Sequence, residues 1–123
     1  MPPTAPSDPD PADALRITPL DPSGPVRVVR LEGDLDFHTA PRLQYALAAA
    51  TGAGVHALVL ELSELAFCDS VGLQALITAC LTTGTGSIPA ELAAPPTHLR
   101  HLIELSGLER LFTIHDTAPG TTA

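Results

Sequence analysis

The chain has 123 residues, a formal net charge of −8 and a hydrophobic fraction of 45% with only 3% aromatics, so one domain with an aliphatic core fits its length. Its six basic residues are scattered among fourteen acidic ones. This argues against nucleic acid or an anionic membrane as a direct partner, since both call for clustered Lys and Arg. The N-terminus has neither a basic start nor an apolar stretch, so we expect no signal peptide and a cytoplasmic location.

The first quarter of the chain predicts a tail followed by a hairpin. Residues 1–12 are rich in proline and acidic, which predicts disorder ahead of a domain spanning 13–117. Residues 15–20 and 26–31 have strand character, and the Asp-Pro-Ser-Gly-Pro run at 21–25 has the composition of a turn. An antiparallel hairpin is therefore expected.

A loop, a helix and a buried strand are predicted next. Residues 33–36 are expected to form the loop, with Thr39 as the helix N-cap and Pro41 in the first helical turn. The helix is expected to stop near Gly52. Residues 57–62 form an almost unbroken apolar run, which is typical of a parallel strand covered by helices on both faces.

The second half alternates helices and strands. A helix is predicted over about 71–82, with Leu76, Ile77 and Cys80 facing the sheet. The strand expected at 88–93 contains Pro89, which places it at an edge or delays its start past the proline.

A third helix and a last strand complete the prediction. Thr97 is expected to cap the helix and Gly107 to follow its end. Residues 111–115 form a short predicted strand, and 118–123 a tail. The order ββαβαβαβ implies an α/β protein with a mixed, mainly parallel sheet and helices packed on it.

The junction between the strand at 57–62 and the following helix contains the sequence Asp69-Ser70-Val71-Gly72-Leu73. A serine at a helix start lies beside unpaired backbone N–H groups and the positive end of the helix dipole, which accommodate a hydroxyl or a phosphate. Ser70 could equally be an ordinary N-cap, a role that Asp69 would fill as well. The pentapeptide alone leaves both interpretations open.

Three segments together resemble one family. They are residues 31–36 with 39–40, similar to the pattern L-x-G-[ED]-[LI]-D-x-x-[TN]-A; residues 58–62 running to 67–73, similar to a strand followed by the phosphorylation motif D-S-[ST]-G-[LIV]; and residues 105–108 with 111–112. They occur in the family's order across roughly residues 14–116. The chain thus resembles the STAS domain family (sulfate transporter and anti-sigma factor antagonist), most closely its stand-alone bacterial anti-sigma factor antagonists.

The resemblance implies a STAS fold and a regulatory function. The unphosphorylated protein is expected to bind an anti-sigma factor that is also a serine kinase, and thereby to release a sigma factor. The kinase would then phosphorylate Ser70 and end the interaction, and a separate serine phosphatase would reset it. The protein itself is expected to catalyse nothing.

The same resemblance assigns a partner-binding surface to Asp34, Asp36, Asp69, Ser70, Val71 and Gly72. Gly72 is expected to let a partner approach closely. Val71 departs from the family, which usually has a second Ser or Thr there. For Asp34 and Asp36 the alternative is a simple turn before a helix.

Two other classes of protein remain open. One is a constitutive STAS subunit of a larger assembly, such as a lipid-transport ATPase or a stress-sensing scaffold, which Val71 mildly favours. The other is a module that binds a nucleotide or small molecule. No cofactor or metal site is predicted, because the five histidines form no metal-type cluster and Cys68 and Cys80 lack metal-ligand spacing. No set of residues resembles a catalytic site.

Overall fold

The computed structural model describes residues 11–21, 24–50, 52, 54–81 and 88–118. Its strands are β1 (Leu15–Asp21), β2 (Val26–Leu35), β3 (Ala57–Glu61), β4 (Leu65–Cys68), β5 (Ala90–Ala93) and β6 (Ile114–His115). Its helices are α1 (Ala40–Ala50), α2 (Ser70–Leu81) and α3 (Thr97–Ser106), with short 3-10 helices at Pro11–Ala14 and Glu109–Leu111. The predicted tail residues 1–10 and 119–123, together with Thr82 and the turn residues 22–23, lie outside the described residues.

The strands form one mixed sheet in the order β1-β2-β3-β5-β6, with β4 paired to β2. β1 and β2 are antiparallel, and every other pair is parallel. The predicted α/β architecture and N-terminal hairpin are confirmed. β5 begins just after Pro89, as the second of the two alternatives predicted, and it lies inside the sheet between β3 and β6.

The long strand β2 is shared between two partners. Its first half pairs with β3, and its last residues, Gly33 to Leu35, pair with β4. The prediction of a loop over 33–36 is therefore wrong for 33–35, and β4 itself was not predicted. The break between the two partners falls at Gly33, where the register shifts and φ is +102°. A side chain there would meet the backbone oxygen of Ala14, so glycine is required.

Two further boundaries differ from the prediction. Thr97 is the first residue of α3, and the N-cap position belongs to Pro96, which has no side-chain cap. The last strand comprises only Ile114 and His115, because residues 109–111 form a 3-10 helix. Gly107 does end α3 in the left-handed conformation, with φ +70°, as predicted.

The main core lies between the helices and one face of the sheet. It is built almost entirely from aliphatic side chains, among them Leu31, Leu60, Leu76, Leu92 and Leu99. These side chains fix α2 on the sheet and with it the position of its first residue.

The opposite face of the sheet carries a smaller cluster of Val28, Val59 and Ala93. β3 is buried on both faces, as predicted, but Ala118 of the C-terminal segment packs against this second cluster. The buried carboxylate of Glu61 lies 3.3 Å from Arg30 Nε and accepts the Ser63 hydroxyl at 2.9 Å. These contacts satisfy a charge that would be costly to bury alone.

Candidate functional site

The N-terminus of α2 is capped by Asp69. Its Oδ1 accepts the N–H of Gly72 at 2.8 Å, and its backbone carbonyl accepts the N–H of Leu73 at 2.8 Å. This is the geometry of an N-cap residue, whose side chain satisfies one of the unpaired donors of the first turn. Of the two candidate N-cap residues, Asp69 and Ser70, it is therefore Asp69 that caps α2.

Ser70 is the first residue of α2 and is solvent-exposed, as the sequence predicts. Its hydroxyl forms no hydrogen bond with any residue that the structure describes. The first backbone N–H groups of a helix have no acceptor within the helix and favour a negative group nearby. The Ser70 hydroxyl is thus both accessible and placed where a phosphate is tolerated.

Gly72 holds this helix start against the end of β2. It is buried, and a Cβ built on it would lie 2.2 Å from the carbonyl oxygen of Leu35 and 3.0 Å from Cys68 Sγ. The close approach that its missing side chain permits is therefore to the protein's own backbone. This contact, with the pairing of Leu35 and Cys68 across β2 and β4, places the β2–α1 loop beside the first turn of α2.

Asp36 forms a capping box with Thr39 in that loop. Asp36 Oδ1 accepts the N–H groups of His38 at 2.9 Å and Thr39 at 3.2 Å, while Thr39 Oγ1 accepts the N–H of Asp36 at 2.9 Å. The reciprocal pair satisfies donors at the entry to α1. Thr39 does lie directly before α1, but Asp36 supplies the side-chain acceptor. Asp36 therefore has the structural role in a turn before a helix that was the alternative for it.

Asp34 differs from Asp36 in how it is used. Its backbone carbonyl accepts the Thr39 hydroxyl at 2.9 Å, whereas its half-buried carboxylate has no partner among the described residues. Asp34 pairs with Phe67 in the register of β2 and β4. Among the three acidic residues predicted to bind a partner, the Asp34 carboxylate is the one that accepts no hydrogen bond from the described residues.

Large apolar side chains around Ser70 are left in solvent. Phe37, Phe67 and Val71 are 72%, 48% and 43% exposed, and we call these three the apolar rim. They belong to the β2–α1 loop, the end of β4 and the first turn of α2, which meet here. Two of the chain's three phenylalanines are thus exposed on one surface. Exposed aromatic side chains are typical of a surface that binds a partner protein. The sequence pointed to Val71 but missed both phenylalanines, since an apolar residue within a motif is ordinarily expected in the core.

The cysteine beside the site is not a nucleophile. Burial raises the pKa of the Cys68 thiol to about 12, and the neighbouring Asp69 carboxylate acts in the same direction. The thiol is therefore protonated at neutral pH, and only thiolates are strong nucleophiles and metal ligands. Within the described ranges, no three His, Cys, Asp or Glu side chains are arranged to hold a metal ion. Nor is any helix in those ranges long and apolar enough to cross a bilayer.

Comparison with known proteins identifies the family. Residues 19–119 match the STAS domain family, and the chain belongs to that family. It is 32% identical over 112 residues to the anti-sigma-F factor antagonist RsfB of Mycobacterium tuberculosis, covering 88% of this chain and 90% of the relative.

Solved structures show the same fold. An anti-sigma factor antagonist from Mycobacterium paratuberculosis superposes with a TM-score of 0.71 at 32% identity, covering 85% of this chain and 88% of that one. The anti-sigma factor antagonist SpoIIAA in its unphosphorylated form superposes with a TM-score of 0.61 at 20% identity, covering 82% of this chain and 87% of that one. The likeness to SpoIIAA concerns the fold.

Proposed function

We propose that the protein is an anti-sigma factor antagonist whose binding is switched off by phosphorylation of Ser70. The observation that carries this is the division of roles at the start of α2: Asp69 caps the helix, and the exposed Ser70 hydroxyl has no hydrogen-bond partner in the described part of the chain. Membership of the STAS family and the similarity to RsfB along most of both chains support the same function.

The partner is an anti-sigma factor that is also a serine kinase. It contacts the apolar rim together with Asp34, Asp69 and Ser70, while Asp36 and Gly72 hold these residues in place from within. Exposed aromatic side chains supply contact area at such interfaces, and acidic residues favour a basic partner. The antagonist acts by occupying the anti-sigma factor, so that a sigma factor is released, and it carries out no chemistry itself.

Phosphorylation would break the complex through charge. A phosphoserine adds about −1.5 to −2 charge at neutral pH, and here it would lie next to the Asp69 carboxylate. Across the interface, a repulsion between this charge and a carboxylate of the partner about 4 Å away amounts to about 4 kcal/mol at an effective dielectric constant near 20. A penalty of that size weakens binding about a thousandfold. A serine phosphatase then restores the binding form, and the cycle takes place in the cytoplasm.

Two substitutions at Ser70 test this proposal. Ser70→Ala keeps the surface neutral at that point, so it should bind the anti-sigma factor like the wild type and accept no phosphate from ATP. Ser70→Asp adds about half the charge of a phosphate, so it should bind more weakly, with part of the loss recovered as salt screens the repulsion. A pull-down with the wild type and Ser70→Asp, read by mass spectrometry, identifies the partner. Calorimetric titration at two salt concentrations then gives the affinities.

Ser106→Asp is the matched control, since it places the same charge at an exposed serine on α3. It should leave the affinity unchanged. Equal affinities for the wild type, Ser70→Ala and Ser70→Asp would contradict the switch. That result would favour a constitutive STAS subunit, for which the apolar Val71 beside Ser70 would suit a lasting interface.

A further inference from the structure

A groove of about 610 Å³ lies between α1 and the β1–β2 hairpin. Ile17, Pro19 and Val29 line it on the sheet side, and Tyr45, Ala46 and Ala50 on the helix side. The small alanine side chains of α1 leave the space open. Its volume falls in the range of about 300–1,000 Å³ that is common for sites of small ligands. Its lining residues include neither Ser70 nor any residue of the apolar rim.

The groove is the place where this acidic protein gathers positive charge. Two of its six arginines, Arg27 and Arg42, line the groove, and among the lining residues that the structure describes none is acidic. Arg42 Nη1 donates to the backbone oxygen of Leu15 at 2.6 Å, which fixes its stem against β1. In a chain of net charge −8, this concentration of arginine favours an anionic occupant.

Arg27 has a donor that the protein does not use. Its Nε is buried and has no hydrogen-bond partner among the described residues, whereas Arg30 and Arg42 each have one and Arg100 forms an ion pair with Asp116 at 3.6 Å. A buried N–H without an acceptor is costly, and nearly all such groups in folded proteins are paired. Arg27 lines the groove, so a carboxylate bound there would compensate the charge of its guanidinium through charge-assisted hydrogen bonds.

We propose that this groove binds a free fatty acid, with the carboxylate on Arg27 and the alkyl chain along the apolar floor. Apart from the two arginines and the Tyr45 hydroxyl, the described residues of the lining offer no polar side chain that could bind a base or a sugar, which argues against a nucleotide. Tyr45 is 82% exposed at this groove, and an alkyl chain would cover its ring. The site is independent of the proposed switch at Ser70.

Decanoate is the probe, titrated into the full-length protein by calorimetry and by NMR of the backbone amides. We expect saturable binding, with shift changes confined to β1, β2 and α1. Arg27→Gln, which keeps most of the stem, should weaken binding about tenfold or more. Arg16→Gln, an exposed arginine of the same hairpin that does not line the groove, should bind like the wild type. Ala46→Phe fills the groove and should abolish binding independently of charge.

Three further ligands separate the alternatives. Decan-1-ol, which lacks the charge, should bind the wild type more weakly than decanoate and should be insensitive to Arg27→Gln. GTP and phosphatidylglycerol vesicles should bind no more strongly to the wild type than to Arg27→Gln. The proposal is overturned if decanoate leaves the amide signals of residues 15–50 unchanged, or if Arg27→Gln binds it as tightly as the wild type does. It is also overturned if GTP or the vesicles occupy the groove in preference to decanoate.

Discussion

At the first turn of α2, the capping carboxylate and the free hydroxyl belong to neighbouring residues. Asp69→Ala removes the acceptor of the Gly72 N–H, so it should lower the free energy of unfolding by about 0.5–2 kcal/mol. Ser70→Ala removes an exposed hydroxyl with no partner among the residues that the structure describes, so it should change that free energy by no more than about 0.5 kcal/mol. Urea denaturation of both variants measures the difference.

The opposite order of effects would contradict this division of roles. If Ser70→Ala destabilised the protein more than Asp69→Ala, the hydroxyl would be the cap in solution. Phosphorylation would then change the capping of α2 as well as its outer surface. The two substitutions thus separate a switch that acts on an interface from one that acts on the fold.

Gly72 is required by the backbone contact beneath the site. In Gly72→Ala the new Cβ would lie 2.2 Å from the Leu35 carbonyl oxygen. Relief requires α2 and β2 to move apart, which should cost about 1–3 kcal/mol and outweigh the gain of up to about 1 kcal/mol in helix propensity. Gly52→Ala is the control, because a Cβ there meets no atom of the described residues within 4 Å. A thermal midpoint unchanged in Gly72→Ala would show that the two elements are not in this contact.

At the scale of the elements, α2 depends on its buried face. Leu76 is fully buried in the main core, and Cys80 and Ile77 pack with it as the helical spacing predicts. Leu76→Ala should cost about 2–5 kcal/mol by leaving a cavity, whereas Gln74→Ala, on the exposed side of the same helix, should be nearly neutral. Equal denaturation midpoints for the two variants would show that the buried face of α2 is assigned wrongly.

Elements with a clear period were predictable and the short irregular ones were not. α2 and β3 are long enough for their apolar pattern to show. β4 has four residues, of which only Leu65 is buried, so it carries too little pattern to be recognised. Gly33 and Asp34 have turn composition, yet they pair with β4 because a bulge lets β2 continue. Such pairings are decided by tertiary contacts rather than by local sequence.

The candidate site was predictable to a similar degree. The position of Ser70 at a helix start and its exposure follow from the junction of an apolar strand with a helical pattern. The roles of its neighbours did not follow. The capping box at Asp36 has threonine where Glu or Gln is usual, and the buried contact at Gly72 depends on how two segments meet. Exposure of Phe37 and Phe67 was equally hidden, since sequence alone does not tell a surface aromatic from a core one.

At the scale of the whole molecule, the two cysteines predict a loss of stability at high pH. Burial raises the pKa of Cys68 and of Cys80 from 9.0 to about 12, with Asp69 and Glu91 respectively adding to the effect. The folded state therefore keeps both thiols protonated while the unfolded state ionises first. Their contribution to stability is complete below pH 9 and is lost as the pH rises towards 12.

The measurement is the free energy of unfolding of the wild type and of the double variant Cys68→Ala/Cys80→Ala as a function of pH. Other groups also titrate at high pH, so the slope difference between the two proteins isolates the thiols. The wild type should lose stability more steeply above pH 9 than the double variant. Parallel curves would mean that the thiols are as ionisable in the folded protein as in the unfolded one.

The two outer strands of the sheet restrict how this protein can meet other chains. β1 contains Pro19, which has no N–H to offer, and its register shifts between Pro19 and Asp21. At the other side β6 has only two residues, Ile114 and His115. A proline, an irregular strand and a very short strand are the devices by which native sheets avoid extension by another chain's strand. Strand addition at these two edges is therefore disfavoured, and we expect partners to dock on loops and helix ends.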